Sequence, residues 1–157
     1  MSPSRQAILL VEDRSDDVLL LQRVLKQASL GRPFNIVSSG EEAIAYLDGQ
    51  GEYADRRAFP SPTLIFLDLK LPGISGFEVL TWIRQQPRLD RLQIIVLTGS
   101  RHTIDVYRAY ELGANSYLAK PVDLPRLTDV IHSLNLNRLS FVEAPQAMTP
   151  AKSTPVL

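Results

Sequence analysis

The chain contains no cysteine. Disulfides, thiolate metal sites and cysteine nucleophiles are excluded at once. Nor is there an excess of either charge: 17 lysines and arginines stand against 17 aspartates and glutamates. Without a basic surplus or a polybasic run, neither nucleic acid nor an anionic membrane surface is an expected partner. Long apolar runs are missing too. None approaches the roughly 18 residues of a membrane span, and the polar stretch Met1 to Gln6 has no signal-peptide character. The expectation is a soluble cytoplasmic protein. The two histidines, His102 and His132, lie apart from any metal-ligand cluster and read as structural or solvent-facing.

What is present suits one ordinary domain: 157 residues, 45% of them hydrophobic, can bury a single solid core. Strand and helix patterns alternate five times. Ile8 to Val11 reads as a strand, followed by a helix whose apolar positions are Val18, Leu21, Val24, Leu25 and Ala28, with Ser15 or Asp16 as its cap. Phe34 to Val37 is a short second strand. A second helix opens on the capping-box pattern Ser39/Glu42 and ends near Gly49. Residues 50–62 form a long polar connection, expected to be an insertion or an interaction loop.

The third strand, Thr63 to Leu67, leads through Leu71-Pro72-Gly73 to a helix capped by Ser75/Glu78 and running to about Gln86. A fourth strand precedes a helix over Thr103–Leu112, closed by Gly113. The fifth strand is followed by a helix starting at Asp123-Leu124-Pro125. Regular alternation implies right-handed crossovers and an α/β, doubly wound five-stranded parallel sheet. The predicted layout is an N-terminal extension at 1–6, a domain at 7–137 and a C-terminal tail at 138–157. That tail, with Pro145, Pro150 and Pro155, has too few apolar residues to offset its ordering entropy and is expected to be flexible. With no output module after Asn137, signalling is expected to run through protein contacts.

Four strands end in reactive side chains: Glu12-Asp13, Asp68, Thr98 and Lys120. In an open parallel sheet, sites form at the carboxyl ends of strands. An acidic pair such as Glu12-Asp13 calls for a cation, and hard oxygen ligands suit Mg²⁺. Asp16 and Asp17 read more simply as partners of the helix dipole. Asp68 could be a turn former, or a nucleophile toward phosphorus that yields an acyl phosphate. Thr98 can donate to a phosphoryl oxygen, and Lys120 can pair with a carboxylate and then with phosphate. Each feature alone is ordinary, but together they describe a site for phosphate chemistry.

With these residues in place, the chain resembles the receiver domain of two-component response regulators, over about residues 6–137. The motifs that carry the likeness are Val11-Glu12-Asp13, Asp68-Leu69-Lys70-Leu71-Pro72-Gly73 with Gly76, Thr98-Gly99, and Gly113 through Pro121. The resemblance implies a CheY-like fold and a stand-alone regulator that accepts a phosphoryl group on Asp68 from a histidine kinase. It implies Mg²⁺ or Mn²⁺ held by Asp13, Asp68, the Lys70 carbonyl and, through water, Glu12. Thr98 and Lys120 would bind the phosphoryl group, Tyr117 would be the aromatic switch, and Lys120-Pro121 would be cis. The surface of the fourth helix, fifth strand and fifth helix would carry the output, with Arg101, Asp105, Arg108, Glu111, Arg126 and Asp129 giving it mixed charge. A homodimer through that surface and a phytochrome-like kinase partner are the corresponding expectations. Lys70 is expected to slow or redirect attack of water on the acyl phosphate, and the small Ser100 to leave the site open.

Other readings fit less well. A haloacid-dehalogenase-type phosphatase needs an acid two residues after the nucleophile, where this chain has Lys70. A dinucleotide site needs glycines where the chain has Glu12-Asp13-Arg14-Ser15-Asp16-Asp17. A phosphorylation-independent receiver-like scaffold or dimerisation module is the alternative from another class. Such a scaffold usually lacks the acceptor or the lysine, and neither is lost here. The expectation is a phosphoacceptor with only self-phosphotransfer and slow autodephosphorylation, not a turnover enzyme.

Overall fold

A computed structural model describes residues 7–28, 34–99 and 103–134. The predicted extension at 1–6, the tail at 138–157, and Ser100, Arg101 and His102 lie outside the described residues. The strands are β1 (Ala7–Val11), β2 (Phe34–Val37), β3 (Pro62–Asp68), β4 (Gln93–Thr98) and β5 (Ser116–Ala119). The helices are α1 (Ser15–Gln27), α2 (Gly40–Leu47), α3 (Gly76–Arg84), α4 (Thr103–Glu111) and α5 (Leu124–Ser133). All strand pairs are parallel, in the order β2-β1-β3-β4-β5.

Side chains alternate across each strand, so a sheet covered on both faces needs apolar residues at every position. Ile8, Leu10, Leu64, Phe66, Ile95 and Leu97 pack with Leu21 and Val24 of α1 and Leu127 and Ile131 of α5. Leu9, Val11, Ile65, Leu67, Ile94 and Val96 face the other way, toward Ala43 of α2, Val79 and Ile83 of α3, and Ala109 of α4. The chain leaves β1 outward to β2 and then crosses back to β3. The order therefore reverses between β1 and β3, where the sheet opens a crevice at its carboxyl edge.

Local signals are met in most places. Ser75 and Glu78 form a complete capping box, and Asp123 caps α5 through the Arg126 amide. Helix α3 stops at Arg84 and α4 at Glu111, one or two residues short of expectation, as helix ends often do. Two local expectations fail. Helix α1 has Arg14 at its N-cap with no side-chain cap, not Ser15 or Asp16. Glu12 closes that turn instead, its Oε2 accepting from the Arg14 amide at 3.2 Å. At α2, Ser39 accepts from the Glu42 amide, but Glu42 reaches back to the Ser38 amide, not to Ser39.

The connection at 50–62 is less polar than it reads. A short 3-10 turn at Gly51–Ala54 buries Tyr53, whose ring lies 4.9 Å from those of Tyr46 and Phe59. Tyr53 donates to Glu42 Oε2 at 2.8 Å, and Tyr46 donates to the Pro60 carbonyl at 2.9 Å. Aromatic packing of this kind holds the loop to α2. On the opposite flank, Arg84 donates to the carbonyls of Gly113 and Leu92 and to Asn115 Oδ1, each at 3.0 Å. One guanidinium thereby ties α3 to the turns that feed β4 and β5.

Candidate functional site

Apart from tyrosines, the buried polar side chains among the described residues are Glu12, Asp68 and Thr98. All three stand at the carboxyl edge of the sheet, at the ends of β1, β3 and β4. Isolated buried charges are costly, so their arrangement needs compensation. Lys120 supplies it from just beyond β5. Its Nζ donates to Asp68 Oδ2 at 2.9 Å and to Asp17 Oδ2 at 3.2 Å. It also lies 2.9 Å from Glu12 Oε1. The other Asp68 oxygen, Oδ1, accepts from the Lys70 amide at 3.1 Å. The cis Lys120-Pro121 bond, which the resemblance implied, is present.

The acids nevertheless outnumber the ammonium. Carboxylate oxygens of Glu12, Asp13 and Asp68 lie within 4.8 Å of one another. Glu12 Oε1 is buried and accepts no hydrogen bond: its approach to Lys120 is an ion pair without hydrogen-bond direction. An under-satisfied buried oxygen beside two other acids suits a hard divalent cation, which brings charge and bound water together. The donor set fits such an ion.

Burial pushes the Glu12 carboxyl up to about 7; its contact with Lys120 pulls it down, while Asp68 pushes it further up. Burial acts to lower the Lys120 ammonium, but Glu12 and Asp68 outweigh it and hold that pKa above the usual lysine range. Between about pH 4.5 and about pH 7, Glu12 therefore holds a proton in the folded, metal-free protein that the unfolded chain releases. Stability should fall as pH rises from about 4.5 to about 7, and the loss should be complete above that window. Urea denaturation in EDTA on either side of the window should show this decline, and Glu12→Gln should flatten it. A decline that persists unchanged in the variant would assign the effect to another group.

The remaining predicted residues fall around this centre. Asp13 is exposed at the mouth, and Thr98 is buried, its carbonyl accepting from the Lys120 amide at 2.9 Å. The Lys70 side chain is exposed. Tyr117 points outward, 41% exposed, with its ring edge-on to Tyr110 at 6.4 Å. Asp17 is the member that sequence reasoning assigned elsewhere. Its place in the first turn of α1 agrees with a partner of the helix dipole, and it also accepts from Lys120. A signal was available: Asp17, Leu21, Val24 and Ala28 share one helix face, so its carboxylate sits on the apolar stripe.

The response regulator receiver domain family matches residues 8–132. The chain belongs to this family of receivers. Response regulator Rcp1 of Synechocystis sp. is 41% identical over 142 residues, covering 90% of this chain and 95% of that protein. The bacteriophytochrome response regulator RtBRR superposes with a TM-score of 0.75 at 32% identity, covering 95% of this chain and 87% of that one. A phosphorylated form of the cyanobacterial phytochrome response regulator RcpA has a TM-score of 0.73 at 35% identity, covering 91% and 100%. Rcp1 has also been solved in an Mn²⁺-bound form, with a TM-score of 0.70 over 89% of this receiver and 99% of that chain. The receiver thus groups with phytochrome-associated regulators. Among the described residues, no helix is long and apolar enough to cross a membrane.

Proposed function

We propose that this receiver is a phosphorylation-switched signalling protein whose acceptor is Asp68, charged by a sensor histidine kinase of the phytochrome-like kind. One observation carries the reading: Asp68 is a buried carboxylate beside Glu12 and Asp13, aligned by the Lys70 amide and the Lys120 ammonium. Asp68 attacks phosphorus of a phosphohistidine. The new O–P bond forms as the N–P bond breaks, and the imidazole nitrogen departs with the electron pair and then takes a proton. The product is an acyl phosphate. Asp13, Asp68 and the Lys70 carbonyl, with Glu12 through water, would hold Mg²⁺ or Mn²⁺. Such a cation, when bound, neutralises charge that builds on the phosphoryl oxygens.

Lys120 then shifts its hydrogen bond from Asp68 to a phosphoryl oxygen, and the Thr98 hydroxyl donates to another. The phosphoryl group adds about −1.5 to −2 charge at this edge. Thr98 drawn toward it leaves room that Tyr117, now outward, can occupy. The affected surface exposes Ile104 at 68%, Tyr107 at 52% and Tyr117 at 41%. An apolar patch of this kind on α4 and β5 suits a partner or a second copy, so output runs through contacts of the α4-β5-α5 face. The exposed Lys70 ammonium moderates water attack on the acyl phosphate. The receiver is a phosphoacceptor of the cytoplasm in this reading, not a turnover enzyme.

The test is incubation with Mg²⁺ and a small acyl phosphate, followed by a phosphate-affinity gel and borohydride trapping of the acyl phosphate. A slow-migrating band, abolished by EDTA and mapped to Asp68, is expected. A protein that never shifts, or a trapped acid other than Asp68, would sink the proposal.

A further inference from the structure

The Lys120 ammonium has three N–H donors and no accepting capacity. Two of its three carboxylate neighbours, Glu12 and Asp68, belong to the centre already described. The third, Asp17, lies in the first turn of α1, with its side chain 29% exposed. Its Oδ2 accepts from Nζ at 3.2 Å, on the same atom that lies 3.6 Å from Arg14 Nε. The lysine side chain itself is only 17% exposed and spans from the end of β5 to the start of α1.

We infer that Asp17 is a positioning residue for phosphoryl transfer, anchoring Lys120 through its hydrogen bond. This inference rests on the phosphoacceptor reading of Asp68. In that reading the hydrogen bond to Asp68 is the one that must be exchanged when the acyl phosphate forms. Glu12 Oε1, 2.9 Å from Nζ, attracts the ammonium but accepts no hydrogen bond, so without Asp17 no hydrogen bond to a carboxylate would orient the lysine at that moment. Asp17 stays unchanged through the reaction, so the ammonium keeps a fixed neighbour on the α1 side and turns one N–H from carboxylate to phosphoryl oxygen. Long side chains lose considerable rotamer freedom when held, and a second anchor bears that cost before the donor arrives. The exposed Arg14 guanidinium lies 3.6 Å from the same Asp17 oxygen and adds a second positive charge beside it.

The experiment compares phosphorylation rates with acetyl phosphate and Mg²⁺ in Asp17→Ala, Asp17→Asn, Lys120→Ala and the double variant Asp17→Ala/Lys120→Ala. Asp17→Ala should slow labelling about tenfold, whereas Asp17→Asn, which keeps an accepting oxygen, should stay within about threefold of the unmodified protein. In the Lys120→Ala background, Asp17→Ala should have no further effect, because a residue acting through another loses its influence when that partner is gone. The ¹⁵N resonance of the Lys120 ammonium should broaden in unphosphorylated Asp17→Ala as exchange with water accelerates. Unchanged labelling in Asp17→Ala, equal slowing with and without Lys120, or an Asn variant as slow as the Ala variant would each overturn the inference. If the unmodified protein takes no label, the phosphoacceptor reading fails and takes this inference with it.

Discussion

Asp68→Asn is expected to abolish phosphoryl labelling while leaving the receiver folded. The carboxamide offers no free anionic oxygen, so the proposed nucleophile disappears. Its one carbonyl oxygen should turn to Lys120, which donates to Asp68 Oδ2 at 2.9 Å. The amide nitrogen then faces the Lys70 N–H, where Asp68 Oδ1 now accepts at 3.1 Å. Losing that bond costs about 1–2 kcal/mol. Removing a like charge beside Glu12 works in the opposite direction, because Asp68 is among the groups that push Glu12 up. The net change in stability should therefore stay below about 2 kcal/mol, small beside the total of about 5–15 kcal/mol. Parallel urea melts and phosphate-affinity gels read both quantities. Full labelling of a folded variant would move the acceptor elsewhere, with Asp13 the neighbouring carboxylate to examine.

Much of this arrangement was legible from local patterns. Short apolar runs such as Leu64 to Leu67 suit strands covered on both faces, and helical spacing between them implied crossovers. The parallel order followed. Since each reactive side chain sits at the end of a strand or just after it, its location at the carboxyl edge needed only the sheet. Asp68, Glu12 and Asp13 were found this way, and the structure brings their oxygens within 4.8 Å.

Long-range pairings were less visible. That Lys120 reaches Asp17 depends on α1 lying beside the end of β5, which no short window contains. Arg84 looked like any charged residue at a helix end, although it holds the turns before β4 and β5 through Leu92, Gly113 and Asn115. The connection at 50–62 misled for a related reason: its many polar residues concealed Tyr53 and Phe59, whose partner Tyr46 belongs to α2. The cap of α1 failed because Glu12 closes the turn from the strand side. Local composition reports what a segment can do alone, and these four cases are decided by neighbours distant in sequence or just outside the helix or loop itself.

The same dependence on close neighbours makes Gly76→Ala the most damaging small substitution expected here. Gly76 opens α3, and its amide donates to the Leu69 carbonyl at 2.9 Å. A Cβ at this position would meet the Asp68 carbonyl oxygen, and would stand 2.6 Å from Leu69 Cα and 3.0 Å from Asp68 C. These are backbone atoms, so no rotamer change can relieve the overlap. Either α3 retreats from the sheet or the β3 end shifts, and Val79, Leu80 and Ile83 bind α3 tightly into the core. Overpacking of this kind costs about 3 kcal/mol, a fall in midpoint of about 10 °C for a domain of this size. The function should suffer beyond the stability loss, since the displaced atoms are Asp68's own backbone. A shift near 1 Å in a reacting group costs on the order of 100-fold in rate, so labelling by acetyl phosphate should slow by that factor even at low temperature, where the variant is folded. Gly40 provides the contrast: a Cβ there would meet Ile74 and Val79 side-chain atoms, at 2.5 and 2.8 Å, and leave Asp68 alone. Gly40→Ala should therefore lose stability while labelling normally. Gly76→Ala with unaltered melting and unaltered labelling would show that the β3–α3 junction can yield without moving Asp68.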